Sequence, residues 1–310
     1  MRFRKSIDTF LSSDGVTAVS CYFYEPLEQE PAGIVQISHG MCEYLERYED
    51  FADYLCGQGF AVCGNDHLGH GRTAVREEDL GFFGESGGAD FLVKDLEKMT
   101  VLAKQRHPGL PYFLFGHSMG SFIARMYLTQ YAQELTGAVL CGTTGGNPMA
   151  GMGAFLAGRT ASAKGPRHRS AALTKMAFGS YNKRFDSPKS ANAWISRDAG
   201  VVGKYDQDPL CTFTFTAAAY HELFMLVRRV SAPEWAPAVP RDLPVLLIAG
   251  EDDPVGDYGA GVRRVAERLI EAELRDVSCR LYPGCRHEVL NELNRSEVYR
   301  DVCRWLQARI

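Results

Sequence analysis

The sequence predicts an α/β fold with a mostly parallel, doubly wound sheet, an N-terminal antiparallel hairpin and an inserted, mainly helical segment. Short apolar runs alternate with amphipathic helical patterns over residues 33–141, the alternation stops over residues 143–240, and it resumes at residue 243. Alternating strands and helices are typical of a parallel sheet that helices cover on both faces.

Eight strands are predicted from short apolar or alternating runs bounded by turn residues. The first two flank Ser13-Asp14-Gly15, a turn signal that indicates a hairpin. The predicted strands are residues 6–11, 17–24, 33–40, 60–64, 112–115, 137–141, 243–250 and 277–282.

Helices are predicted where apolar residues recur at helical spacing. The longest of them, closed by Pro108, includes Val101 among its apolar positions. The predicted helices are residues 45–58, 89–107, 121–128, 258–272 and a C-terminal helix. Two more, 171–178 and 217–230, fall within residues 143–240, where the alternation is interrupted.

The interruption differs from the rest of the chain in charge. Residues 143–240, called the insert below, carry twelve Lys and Arg against six Asp and Glu, about +6, whereas the remainder of the chain is about −10. A composition shift of this kind indicates a separate subdomain. We therefore expect residues 1–142 and 241–310 to form the core and the insert to form a cap over the functional site.

Composition excludes several classes of function. A net charge of −4 is not that of a nucleic-acid-binding protein. Nine scattered cysteines, an odd number without a C-x-x-C pair, argue against a disulfide framework and against a zinc site. No metal or cofactor is expected. No signal peptide and no apolar run of about 20 residues is apparent, which predicts a cytoplasmic protein.

Gly116-x-Ser118-x-Gly120 lies between a predicted buried strand and an apolar helical segment. In that setting the pattern is a nucleophile elbow, in which the turn is too tight for side chains beside the serine. A serine hydroxyl is a poor nucleophile unless a base activates it. The elbow therefore predicts an acid and a histidine later in the chain, in that order.

Asp253 and His287 meet this requirement, because each follows one of the last two predicted strands. Ligands of such sheets bind at the carboxyl ends of the strands, where Ser118 also lies. Asp252 and Asp257 compete with Asp253 as the acid. The histidines before the elbow have the wrong order for the base, and the remaining ones are assigned to surface or structural positions.

The negative charge that develops during acyl transfer requires hydrogen-bond donors. One predicted donor is the backbone N–H of Met119, directly after the serine. The other is the backbone N–H of Met41, in the loop after the His39-Gly40 strand end.

These residues resemble the monoacylglycerol lipase and lysophospholipase family of α/β-hydrolases. The likeness extends over nearly the whole chain and rests on five motifs: His39-Gly40-Met41-Cys42-Glu43-Tyr44 with Arg47-Tyr48, Asp66-His67-Leu68-Gly69-His70-Gly71, Gly116-His117-Ser118-Met119-Gly120, Gly250-Glu251-Asp252-Asp253-Pro254, and His287. Two positions depart from the family pattern: Cys42 stands where many members have glycine, and Tyr44 replaces the usual histidine.

The resemblance implies a serine esterase or lipase that cleaves monoacylglycerol, lysophospholipid or a similar acyl ester through an acyl-enzyme. The insert offers apolar side chains for an acyl chain and positive charge for transient contact with a lipid surface; the apolar ones include Phe155, Phe178, Phe213, Phe215, Phe224 and Met225. Alternatively, the apolar side chains pack in the insert's own core, and the positive charges form a solvated face. An amidase or aminopeptidase, or a ligand-binding protein on the same scaffold, are the alternative functions, and the oligomeric state is left open.

Overall fold

A computed structural model describes residues 1–185 and 188–310 and confirms the predicted mostly parallel sheet with an N-terminal antiparallel hairpin. The predicted strands are all present, with ends that differ by a few residues. They are β1 (Phe3–Leu11), β2 (Ala18–Pro26), β3 (Gly33–Ser38), β4 (Phe60–Asn65), β5 (Tyr112–His117), β6 (Gly137–Cys141), β7 (Val245–Gly250) and β8 (Val277–Tyr282).

The eight strands form one sheet in the order β1-β2-β4-β3-β5-β6-β7-β8. β1 pairs with β2 and β2 with β4 in antiparallel fashion, and the other neighbours are parallel. The parallel strands β3 to β8 therefore place all their carboxyl ends along one edge, with β5 inside the sheet.

Helices cover both faces of the sheet, as the pattern of the parallel strands predicts. Along β5, Leu114 belongs to the apolar cluster under α2 (Gly88–Arg106) and α3 (Met119–Tyr131), whereas Phe113 and Phe115 belong to the cluster under α1 (Glu49–Cys56) and α9 (Arg295–Gln307). Val101 of α2, predicted to face the core, is 42% exposed. The core helices are α1 (Glu49–Cys56), α2 (Gly88–Arg106), α3 (Met119–Tyr131), α8 (Ala260–Glu271) and α9 (Arg295–Gln307).

Within residues 143–185 and 188–240, the insert contains two helices that the sequence pattern predicted and two that it did not. The predicted ones are α5 (Ala171–Phe178) and α7 (Ala217–Ser231), and the others are α4 (Ala150–Lys164) and α6 (Ala199–Gln207). The glycines of α4 weaken its helical pattern in the sequence, but Gly153 serves its packing: a Cβ there would lie 2.9 Å from the ring of Phe224 on α7. Small residues thus allow the two helices to approach closely.

All nine cysteines are free thiols, and Cys279 alone among them is exposed. Within residues 1–185 and 188–310, no helix has the length and apolar character needed to cross a bilayer.

Candidate active site

Ser118 lies on a sharp turn between β5 and α3, with φ of 52° and ψ of −120°. Few residues other than glycine adopt a positive φ, and such strain is concentrated at functional sites. The turn needs glycine on both sides of the serine. A Cβ at Gly116 would lie 2.6 Å from the carbonyl oxygen of Gly120, and a Cβ at Gly120 would overlap the carbonyl oxygens of Ser38 and His39.

His287 follows β8 and Asp253 follows β7, and the structure brings their side chains together. Nδ1 of His287 lies 2.9 Å from Oδ1 of Asp253, and both side chains are buried. The competing carboxylates, Asp252 and Asp257, are exposed, and Asp257 instead pairs with Arg264 at 3.0 Å.

The pKa of His287 reflects two opposed effects. Burial disfavours the charged imidazole, but the negative charge and hydrogen bond of Asp253, with smaller contributions from Glu288 and Glu43, raise the pKa of His287 above its ordinary 6.5. An imidazole of this kind accepts a proton readily at neutral pH, as a general base must.

Ser118 and His287 line the same cavity, which has a volume of about 520 Å³ and is also lined by residues of the insert. Met41 and Met119 are among the residues that line this cavity, while Asp253 is not and sits behind His287. Among the described residues, Oγ of Ser118 forms no hydrogen bond with Nε2 of His287. Hydrogen bonds between catalytic groups are often long without substrate and shorten when it binds.

The loop after β3 is held at both polar groups of Gly40. Its N–H donates to the Glu43 carboxylate, and its carbonyl oxygen accepts a hydrogen bond from Nδ1 of His39 at 2.8 Å. The next N–H, that of Met41, donates to no described group, and the same is true of Met119 at the start of α3. Two residues that line the cavity of Ser118 therefore have backbone N–H groups without a partner among the described residues.

Behind this loop, Arg47 binds two buried carboxylates. It pairs with Glu288 through both terminal nitrogens at 2.8 Å and with Glu43 at 2.9 Å. Burial raises the pKa of Glu43 against the opposing effect of Arg47, whereas the bidentate contact with Arg47 overcomes burial and lowers the pKa of Glu288. The network ties the loop after β3 to the residue that follows His287.

His39, His67 and His70 form a second buried cluster, and their ring centroids are 4.2 to 6.4 Å apart. Burial lowers the pKa of His67 to about 3 and of His70 to about 4, so these rings are neutral at physiological pH. Among the described residues, no group of His, Cys, Asp and Glu is arranged to hold a metal ion. The cluster supports the loop after β3 from below.

The two positions that depart from the family pattern both face the insert. Cys42 has a φ of 54°, a backbone conformation that favours glycine, and its thiol donates to the carbonyl oxygen of Phe213 at 3.3 Å. The hydroxyl of Tyr44 donates to Asp208 at 2.8 Å. Each side chain thereby connects the loop after β3 to the insert.

The apolar residues named from the sequence divide into two groups. Phe178, Phe213 and Phe224 line the cavity. Phe215 is fully buried against Phe83 instead, Phe155 is exposed on α4, and Met225 packs against the core without bordering the cavity. Pattern alone did not separate these groups, because the helices and loops of the insert turn some aromatic side chains outward.

Trp194 is a further cavity residue, and sequence analysis gave it no role in the chemistry. It belongs to a short 3₁₀ turn at Ala193–Ile195, and its ring centroid lies 5.0 Å from that of His287. The surrounding stretch has no hydrophobic periodicity, so no signal in the sequence pointed to this contact.

A family model described as "Serine aminopeptidase, S33" matches residues 29–294 of the chain. A monoacylglycerol lipase of Mycolicibacterium smegmatis is 30% identical, with 91% of each chain covered. The monoglyceride lipase of Homo sapiens is 26% identical, with 93% of this chain and 86% of that protein covered.

Solved structures agree in fold. A thermostable carboxyl esterase from Bacillus coagulans, in complex with glycerol, superposes with a TM-score of 0.92 at 32% identity and 98% coverage of both chains. The monoglyceride lipase of Saccharomyces cerevisiae superposes with a TM-score of 0.76 at 22% identity, with 100% of this chain and 96% of that one covered, which supports the fold alone.

Proposed function

Because this chain belongs to the serine aminopeptidase S33 family and has lipase and esterase relatives along nearly its whole length, it is a carboxylic ester hydrolase, and we propose that its substrates are monoacylglycerols, lysophospholipids or similar acyl esters. The reaction proceeds through an acyl-enzyme, which water then hydrolyses. The observation that carries this proposal is a strained serine in the same cavity as a buried imidazole that is paired with a carboxylate.

In the proposed mechanism, His287 takes the proton of the Ser118 hydroxyl as the oxygen attacks the ester carbonyl. His287 then gives this proton to the leaving alcohol, and in the second half-reaction it activates water in the same way. Asp253 holds the imidazole with its proton on Nδ1, which leaves Nε2 free to accept, and it stabilises the imidazolium that forms.

The oxygen of the ester carbonyl becomes negatively charged in the tetrahedral intermediate. We assign its stabilisation to the backbone N–H groups of Met41 and Met119, because both residues line the cavity and their N–H groups have no other partner among the described residues. A donor already in place costs no reorganisation at the moment of reaction, and one such donor is worth about 10²–10³ in rate.

Replacement of the nucleophile tests this assignment. Ser118→Ala should abolish hydrolysis of short 4-nitrophenyl esters and of monoacylglycerols, and it should abolish labelling by a fluorophosphonate probe. Ser162→Ala, on the exposed side of α4, is the matched control and should leave both intact. Turnover by Ser118→Ala at the wild-type rate would remove the mechanism, and a wild-type protein inert to the probe would favour a ligand-binding protein instead.

We further propose that residues 1–142 and 241–310 act as the catalytic core and that the insert is a cap that binds the acyl chain. Phe178, Phe213 and Phe224 of the insert supply apolar wall to a cavity of about 520 Å³. Apolar walls with a few polar groups are typical of sites for small, largely apolar ligands. Monoacylglycerols of graded chain length should therefore show kcat/KM rising with length until the cavity is filled, and a flat series would contradict acyl binding there.

The family description makes a peptidase the second candidate. An aminopeptidase must hold the free amino group of its substrate, for which an unpaired carboxylate is suited. The carboxylates among the described lining residues are Glu43 and Glu288, and both are paired with Arg47. Ester hydrolysis is therefore favoured over amine recognition, and aminoacyl anilides should be turned over far more slowly than glycerol monoesters.

A lipid substrate also has to reach the cavity from a membrane or micelle. Met149, directly before α4, and Met152, Phe155 and Leu156 within it are exposed. The spacings 149/152/155 and 152/156 place them on one side of the helix, and these four are called the apolar patch. Arg159 continues this row on the exposed side of a basic insert. We propose that the apolar patch makes transient contact with lipid surfaces, assisted by attraction to anionic headgroups.

Vesicle sedimentation tests this contact. The protein should bind phosphatidylglycerol vesicles more strongly than phosphatidylcholine vesicles, and the difference should shrink at high salt because charges are screened. Met152→Ser combined with Phe155→Ser should weaken binding, whereas Val75→Ser, which replaces an even more exposed apolar residue outside the insert, should not. Equal binding by all three proteins would contradict the proposal.

A further inference from the structure

The imidazole of His287 has a hydrogen bond at only one of its two nitrogens among the described residues. Nδ1 binds Asp253, and Nε2 has no partner. One hydrogen bond holds one atom of the ring, but it does not fix the tilt of the ring plane. The groups that pack against the ring therefore decide where Nε2 points.

Two aromatic rings make this contact. His117, from the core, lies 4.7 Å from the His287 ring between centroids, and Trp194, from the insert, lies 5.0 Å away. Both planes are inclined by about 40° to the imidazole, at separations at which aromatic pairs attract. Burial lowers the pKa of His117 to about 3, so this neighbour stays neutral and does not repel a protonated His287.

The indole of Trp194 is itself held in place on its insert side. Tyr181 meets it edge-on at 4.9 Å, and Phe178 stacks on it at 6.2 Å with an angle of 19° between the planes. These rings also line the cavity, so the indole shields part of the His287 ring from the solvent in the cavity.

The backbone around Trp194 is clamped to the loop that carries His287. The carbonyl oxygen of Trp194 accepts the N–H of His287 at 3.3 Å, and that of Ile195 accepts the N–H of Glu288 at 2.7 Å. Arg197 adds an ion pair at 2.9 Å with Glu292, whose side chain is fully buried. Truncation of the indole would leave these backbone contacts in place.

We propose that Trp194 is a positioning residue for ester hydrolysis: its indole, supplied by the insert, holds the imidazole of His287 at the tilt that directs Nε2 towards Ser118 and the leaving group. This inference rests on the proposed function. It also means that the insert takes part in catalysis through the base, in addition to covering the substrate.

Trp194→Leu and Trp194→Met remove the aromatic face, and Trp194→Phe retains it. Trp305→Leu is the matched control, since Trp305 packs in the core against Phe113 and does not border the cavity. Reaction with a fluorophosphonate counts the competent sites, so that kcat refers to folded enzyme only. The substrates are 4-nitrophenyl butyrate, whose leaving group departs without a proton, and methyl butyrate, whose leaving group must be protonated by His287.

Trp194→Leu and Trp194→Met should lower kcat ~10- to 100-fold with methyl butyrate, because small errors in the position of a catalytic group cost about this much. The loss should be smaller with the nitrophenyl ester, KM should stay within about 3-fold, and Trp194→Phe should recover most of the rate. Trp305→Leu should keep the wild-type kcat.

A kcat per competent site within about 2-fold of wild type in both truncations, or a loss confined to KM, would overturn the positioning role and leave Trp194 as a packing or substrate contact. Equal losses in Trp194→Phe and Trp194→Leu would also contradict it. A wild-type protein inactive on both esters would instead overturn the proposed function on which the inference rests.

Discussion

Asp253 binds His287 through one carboxylate oxygen while its second oxygen, Oδ2, is buried without a hydrogen bond partner among the described residues. Oδ1 also accepts the N–H of Val255 at 2.9 Å, so its lone pairs are directed by two donors. The carboxylate is thereby held in one orientation towards the imidazole. An acceptor at this place requires the proton of a neutral imidazole to reside on Nδ1.

The acid side of the pH profile tests this relationship. The base must be neutral, and the pKa of His287 is raised above 6.5, so kcat/KM of the wild-type enzyme should fall as the pH decreases through a value above 6.5. Asp253→Asn removes the charge that raises the pKa while burial, which lowers it, remains. The acid limb should then move to lower pH, and the plateau rate should drop ~10³–10⁴-fold. An unchanged limb in Asp253→Asn would contradict the assignment of the acid.

The steric requirement for glycine in the elbow can be tested by replacing Gly116, with Gly151 outside the elbow as the control. A Cβ at Gly116 would lie 2.6 Å from the Gly120 carbonyl oxygen and 2.8 Å from the Cβ of Ala124, and neither atom can move without α3. Gly116→Ala should therefore cost ~1–3 kcal/mol of unfolding free energy, and displacement of Ser118 should lower kcat by about 10²-fold.

Gly151→Ala is the control for this substitution. Gly151 is exposed on α4, and a Cβ there meets nothing within 4 Å. Alanine should stabilise the protein by ~0.5–1 kcal/mol, because it has the higher helix propensity, without changing kcat. Comparable losses in both variants, measured by urea unfolding and steady-state rates, would refute the steric account of the elbow.

The ion network around Arg47 predicts that replacing this buried arginine destabilises the protein far more than replacing an exposed one. Arg47→Met would leave Glu43 and Glu288 buried without their cation, which should cost ~3–5 kcal/mol of unfolding free energy. Arg241→Met removes an exposed pair with Glu273 and should change the free energy of unfolding by less than ~1 kcal/mol. A similar cost for the two substitutions in urea unfolding would show that the network contributes little.

The core was predictable from the sequence because its elements follow local rules. β6 and β8 begin and end at the predicted residues: β6 is a short, fully buried apolar run, and β8 is a partly exposed edge strand that ends directly before Pro283-Gly284. α3 begins two residues before its predicted start, because the glycine and methionine of the elbow lie in its first turn. The predicted places of Ser118, Asp253 and His287 follow from the succession of strands, which sequence patterns identify better than they locate the exact strand ends.

The insert was less predictable because its structure depends on contacts between distant segments. α4 contains several glycines and a weak apolar stripe, and it is stabilised by close packing on α7. Trp194 reaches His287 through a segment without periodicity, anchored by Arg197 to Glu292. Local propensity carries no information about such pairings, in which residues nearly a hundred positions apart meet.

Arg125 is the buried residue that connects the core to both ends of the insert. It projects from α3, is fully buried, and donates to the carbonyl oxygen of Thr144 at 2.8 Å and to that of Val230 at 2.5 Å. These acceptors lie near the beginning and the end of the insert. The guanidinium also lies 4.2 Å from the centroid of the Trp235 ring. Its nitrogens therefore bind two carbonyl oxygens while the planar group packs over the indole.

Arg125→Lys should therefore destabilise the protein although it retains the charge. A single ammonium group cannot reach both carbonyl oxygens, and each buried acceptor left unpaired should cost ~1–3 kcal/mol. Urea unfolding measures the total loss, and limited proteolysis should show faster cleavage within residues 143–240 because the ends of the insert are released. Arg268→Lys is the control: Arg268 is half-buried and contacts the Val230 carbonyl at only 3.4 Å, so its replacement should cost less than ~1 kcal/mol. Equal stability of both lysine variants, with unchanged cleavage of the insert, would contradict the role of Arg125 as the joint between the two parts of the chain.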